Sequence, residues 1–172
     1  MKSNCYKILV VDDNETIRTL LSSVLSSKGH KCDTACDGVE ALEKFNATPF
    51  DAVIADIVMP RMDGLELTRE LIRMDPHLPV MLLTGFIDYY VYDDAVQAGA
   101  CDFINKPLVI EEFVMRFDKM MHNHETICQI RICQKELAEV SREMIAGIEK
   151  DATEKIEELN RQLSDLKGRL SA

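Results

Sequence analysis

Ala52-Val53-Ile54-Ala55-Asp56, followed by Met59-Pro60-Arg61-Met62-Asp63-Gly64, is the stretch that decides the architecture. An unbroken apolar run reads as a strand covered on both faces, and here it ends abruptly on a carboxylate. The Pro, Asp and Gly that follow mark a loop. Leu65, Leu67, Leu71 and Ile72 then recur at helical spacing until Asp75-Pro76 and Pro79. Strand, loop and helix in that order are one half of a parallel βαβ unit.

The pattern repeats on both sides. Ile8-Leu9-Val10-Val11 precedes Asp12-Asp13, Val80-Met81-Leu82-Leu83 precedes Thr84, and a short run over 101–104 precedes Lys106-Pro107, with a further short strand expected over 31–35. Helical segments lie between them. Leu20, Leu21, Val24 and Leu25 form one apolar face ended by Gly29, and Val39, Leu42 and Phe45 form another between Asp37-Gly38 and Pro49. Ala95, Val96 and Ala98 follow an aromatic start at Tyr89, Tyr90 and Tyr92 and end at Gly99. The fold class is therefore α/β with a parallel sheet. Ligands of open α/β sheets bind beyond the carboxyl ends of the strands. That single edge collects Asp12, Asp13, Asp56, Thr84 and Lys106.

This set is what a magnesium ion and a phosphoryl group need at one point. Magnesium takes hard oxygen ligands and keeps several waters, so one or two carboxylates suffice. Asp13 and Asp56 are expected as direct ligands, Asp12 as holder of a metal-bound water, and the backbone carbonyl of Val58 as a further ligand. Asp56 opens into a loop that leaves its carboxylate able to attack phosphorus. Lys106 can neutralise phosphoryl oxygens, and the Thr84 hydroxyl can donate to one of them. Taken singly, Asp12-Asp13 could be ordinary helix capping. The Thr-Gly and Lys-Pro joints are common loop chemistry. Their occurrence together and in order is what carries the reading.

Composition bounds the rest. The 172 residues are 47% apolar and 29% charged, with 20 Lys and Arg against 30 Asp and Glu and a net charge of -10. An acidic chain without a basic stripe is not expected to bind nucleic acid. No apolar run approaches a membrane span and Met1 to Tyr6 lacks a signal-peptide core, so no membrane association and a cytoplasmic location are expected. The six cysteines show no CxxC or framework spacing and read as free thiols. His122, His124, Cys128 and Cys133 hint at a metal site. Only His124 and Cys128 share a helix face, so the group is not expected to bind one.

From residue 122 onward the chain lacks proline and mixes charge with Ile, Leu, Val and Met. Ile130, Cys133, Leu137, Val140 and Met144 step by 3 and 4, as do Leu159, Leu163, Leu166 and Leu170, which are coiled-coil seams. Between them Met144, Ile148, Ala152 and Ile156 step by 4, a stutter. A long helix is expected, the rival being a hairpin with Gly147 as a stop and Asp151 and Glu154 as a capping box. The division is read as 1–121 for the α/β domain and 122–172 for a coiled-coil-like tail.

Val10-Val11-Asp12-Asp13-Asn14, Ala55-Asp56-Ile57-Val58-Met59-Pro60 with Asp63-Gly64, Leu83-Thr84-Gly85, and Gly99-Ala100 through Asp102-Phe103-Ile104-Asn105-Lys106-Pro107 together resemble the response-regulator receiver domain of two-component signalling. The resemblance spans roughly residues 5–121. It implies a doubly wound, flavodoxin-like sheet of five strands in the order 2-1-3-4-5. It also implies a Mg2+-dependent phosphoryl switch rather than an enzyme, loaded on Asp56 by a histidine kinase or phosphotransfer protein. The switch residues would be Thr84 and Phe103, which move together on phosphorylation. Val58 and Phe86 are apolar at positions that flank the route of attacking water, so slow self-dephosphorylation is expected.

Output is expected through a homodimer formed by the C-terminal helix, or through partner binding. An alternative makes the tail a phosphatase or phosphotransfer helix, using Glu158 with Gln162, Glu157 with Asn160, or His124. Another makes it the linker of a truncated output domain.

Overall fold

A computed structural model describes residues 5–85 and 89–170, giving only the backbone for 89–92, 149, 152 and 162–170. Five strands alternate with helices: β1 Lys7–Val11, α1 Glu15–Ser27, β2 Lys31–Ala35, α2 Gly38–Ala47, β3 Ala52–Asp56, α3 Gly64–Met74, β4 Val80–Thr84, α4 Tyr89–Ala98, β5 Asp102–Asn105 and α5 Ile110–Leu170. All strand pairs are parallel and the order is β2-β1-β3-β4-β5. This is the doubly wound order expected above.

The apolar runs are buried on both faces because helices cover both sides. Leu9, Val11, Val53, Ala55, Val80 and Leu82 face one core with Leu67 and Leu71 of α3. The alternate residues Ile8, Val10, Ala52, Ile54, Met81 and Leu83 face the other, with Leu21 and Leu25 of α1 and Phe113 and Phe117 of α5. Period-two alternation between two cores is what an apolar strand in a three-layer fold must show. β5 starts one residue later than the pattern indicated, although the Cys101 N–H already donates to the Val80 carbonyl at 2.8 Å.

Caps set the helix starts. Asn14 accepts from the Thr16 N–H, Asp37 from the Val39 and Glu40 N–H groups, and Asp63 from the Glu66 N–H. The chain divides into two compact units, Met1–Glu125 and Thr126–Ala172. The second is helical from Thr126 to Leu170 and passes through Gly147 without interruption, so the hairpin does not form. Within it Ile130, Leu137, Val140, Met144, Ile148 and Leu159 are each more than half exposed. The side chains of Leu163, Leu166 and Leu170, part of the expected seam, lie outside the described residues.

Candidate functional site

The parallel register brings the strand ends level. Val11 lies beside Ala55, Asp56 beside Leu83, and Thr84 beside Asn105. The next residues on β1 and β5 are therefore Asp12 and Lys106, at the same edge as Asp56 and Thr84.

Carboxylate oxygens of Asp12, Asp13 and Asp56 lie within 4.8 Å of one another, with Asp12 and Asp56 buried and Asp13 exposed. Lys106 Nζ sits 2.9 Å from Asp12 Oδ2 and 2.8 Å from Asp56 Oδ2. Burial raises the Asp56 carboxyl above its ordinary pKa; Lys106 opposes this and Asp12 adds to it. The Lys106 ammonium is held above its usual value although burial disfavours it, because its hydrogen bonds to Asp56 and Asp12 prevail. Asp12 is not a helix cap here. Its Oδ1 accepts from the Asn14 N–H at 2.8 Å, and Asn14 caps α1, which frees the aspartates for the site.

The donor set fits a divalent cation. Three oxygen-bearing side chains converge against one close ammonium, a hard-oxygen donor set with more carboxylates than cations. Asp13, Asp56 and the Asp12 carboxylate would hold it. Such an ion, when bound, supplies electrostatic stabilisation to phosphoryl oxygens. Among the described residues the aspartate trio is the one group with this geometry, and His122, His124, Cys128 and Cys133 do not form a second.

Thr84 is buried at the end of β4. Phe103 pairs with Leu82, two residues before Thr84, and packs with Leu82 on the same face of the sheet. Thr84 therefore shares that face with Phe103. Val58 is 65% exposed in the loop after β3. Phe86 lies outside the described residues, and so does the Gln162 side chain. Glu158 pairs with Arg161 at 3.0 Å, a local contact one helical turn away.

Three features escape sequence reasoning. Arg18 Nη1 donates to the carbonyls of Asp12 and Asp13, at 2.7 and 3.1 Å, and so pins the backbone that carries both carboxylates. Gly64 admits no side chain, since a Cβ there would stand 2.1 Å from the Asp56 carbonyl oxygen. Asp37 and Arg61 form an ion pair that ties the loop after β3 to the start of α2. Arg18 one turn into α1 was a visible signal; the other two depend on residues that only the fold brings together.

The response regulator receiver domain family matches residues 8–118. The chain belongs to that family. Over 115 residues the receiver is 38% identical to the response regulator MprA of Mycobacterium ulcerans, covering 67% of this chain and 50% of that protein. The chain thus spans about half the length of the curated relatives it matches. Among solved structures, NtrX from Brucella abortus aligns with a TM-score of 0.70 and 32% identity over 74% of this chain and 29% of that one. The chemotaxis protein CheY4 of Vibrio cholerae aligns with a TM-score of 0.65 and 29% identity over 68% of this chain and 99% of its own. Among the described residues no helix is long and apolar enough to cross a membrane.

Proposed function

We propose that this receiver is a Mg2+-dependent phosphoryl switch that accepts its phosphoryl group on Asp56 from a histidine kinase or phosphotransfer protein. The observation that carries the reading is the meeting of Asp12, Asp13 and Asp56 with Lys106 at one sheet edge. In this reading the Asp56 carboxylate attacks phosphorus and the donor's leaving group departs with the bonding pair. Lys106 exchanges its contact with Asp56 for one with the phosphoryl oxygens, and the Thr84 hydroxyl donates to another of them. Movement of Thr84 vacates space on the face it shares with Phe103, which turns inward. The family position of the chain supports treating it as a switch whose own turnover is limited to loading and loss of that group.

Output follows from the second unit. Exposed Ile130, Leu137, Val140 and Met144, spaced by sevens and by 3 and 4, form a stripe that a second copy of the helix would cover. A homodimer through residues 122–172 is the proposed consequence, with residues 1–121 as the receiver.

The test is phosphorylation of purified protein by acetyl phosphate with and without Mg2+. Intact mass should show the gain of one phosphoryl group only with the ion, and Asp56→Asn should abolish it entirely. Persistence of that gain in Asp56→Asn would overturn the assignment.

A further inference from the structure

The loop between Asp56 and α3 is held by contacts that reach across the sheet edge to α2. Its base is closed by the Gly64 N–H donating to the Ile57 carbonyl at 2.9 Å. Its middle is a γ-turn, in which the Met62 N–H donates to the Pro60 carbonyl at 2.7 Å and Arg61 takes φ of 64°. That form of γ-turn is rare and strained, and Arg61 is the one non-glycine residue with positive φ among those described. Something must hold it.

The holder is Asp37. Arg61 Nε donates to Asp37 Oδ2 at 2.6 Å, and its Nη2 donates to the same oxygen. Asp37 Oδ1 is occupied separately by the Val39 and Glu40 N–H groups, at 2.9 and 3.0 Å. The carboxylate is buried and fully used, and it cannot swing away without uncapping α2. Burial works against its charge, but the Glu40 N–H and Arg61 together hold the Asp37 carboxyl below the usual range. Beside the ion pair, the Gly38 N–H donates to the Met62 carbonyl at 3.3 Å. A Cβ on Gly38 would stand 2.6 Å from Met62 Cγ, so backbone and loop meet with no spare room.

We propose that Asp37 and Arg61 are positioning residues for the cation site, fixing the loop from Ile57 to Asp63 so that the Val58 carbonyl is presented beside the aspartate trio. The inference rests on the metal reading of that trio given above. A side chain reaching back from a forced backbone turn to a saturated, buried acceptor is a preorganised support of the kind that orients metal ligands from behind. The clamp acts on the carbonyl donor, whereas the Asp12 carboxylate is held by the Asn14 N–H and Lys106, and the Asp56 carboxylate by Lys106.

Mn2+ alone, titrated into the full chain and followed by its paramagnetic resonance signal, reads the site directly without turnover. Two variants separate the clamp from folding. Arg61→Gly removes the guanidinium while allowing the positive φ, and Asp37→Asn keeps a good helix cap while removing the charge. Each should weaken Mn2+ binding roughly tenfold, with the Arg61→Gly chain still unfolding cooperatively near the wild-type temperature. Arg61→Lys should recover part of the loss. Wild-type affinity in Arg61→Gly would overturn the clamp while leaving the metal site intact. A loss of affinity that merely follows loss of folded protein would overturn it too. Absence of any Mn2+ binding by the wild type would overturn both the clamp and the metal reading.

Discussion

The two units use apolar residues in opposite ways. In the first, Ile8, Leu9, Val10 and Val11 of β1 are wholly buried, and Phe113 and Phe117 of α5 lie under the sheet. In the second, Leu137 is 68% exposed and its neighbours on the stripe are little better covered. Fully burying a side chain of this size contributes about 1.5–3 kcal/mol relative to leaving it exposed. The first unit has collected that stabilisation within one chain. The second leaves its stripe uncovered within the chain, which is the contrast that the proposed pairing rests on.

The sharpest way to break the contrast is a pair of truncations in the same helix. Phe113→Ala should cost about 3–5 kcal/mol by cavity formation, whereas Leu137→Ala should change the unfolding of the first unit by less than about 0.5 kcal/mol. Urea unfolding followed by circular dichroism measures both, and equal losses would erase the distinction. Next in size is association. Light scattering should report a dimer, with or without the phosphate mimic beryllofluoride altering its strength, and Leu137→Glu with Val140→Glu should convert it to a monomer. A wild-type monomer in both states sinks the pairing proposal.

A smaller effect concerns the lifetime of the phosphoryl group. Val58→Asn should speed its loss about tenfold, equivalent to roughly 1.4 kcal/mol of barrier, because an amide beside the acceptor can orient water that an isopropyl group excludes. Decay of the wild-type phosphoprotein within seconds would count against the expectation.

The least of the four lies at the foot of the first unit. His30 is buried between the Tyr6 and Phe117 rings, and its Nδ1 accepts from the Tyr6 N–H at 3.4 Å. Burial holds its pKa below the ordinary 6.5, with Asp118 opposing and Lys28 adding. The unfolded chain therefore binds this proton more tightly. The stability that His30 contributes is present above pH 6.5 and is lost as pH falls from there through the lowered folded value. Between pH 7.5 and 5.5 the wild type should lose more stability than His30→Gln. Parallel losses would show that His30 titrates alike in both states.

What the sequence made legible follows from periodicity and punctuation. Uninterrupted apolar runs mark β1, β3 and β4, and the carboxylates directly after β1 and at the end of β3 mark the site edge. The identity of the α1 cap did not emerge, because Asp12, Asp13 and Asn14 are all good capping residues and only geometry selects Asn14. The Lys-Pro joint points to Lys106 as a partner for phosphoryl oxygens. The structure adds that it already bridges Asp12 and Asp56, 94 and 50 residues away in sequence. The Arg61 clamp was out of reach for the same reason: the acceptor is 24 residues earlier, on an unrelated helix start, and no local spacing encodes it. The tail was legible as a seam, but its pairing is a matter of another molecule.

Gly64 has a further consequence. A methyl group at that position would collide with the carbonyl of Asp56 at 2.1 Å. A saturation library over α3 should therefore tolerate wide change at Arg69 or Glu70, out on its surface, and return almost nothing but glycine at 64. The position of Asp56 is guarded by a missing atom, and the smallest residue of α3 would be its least replaceable one.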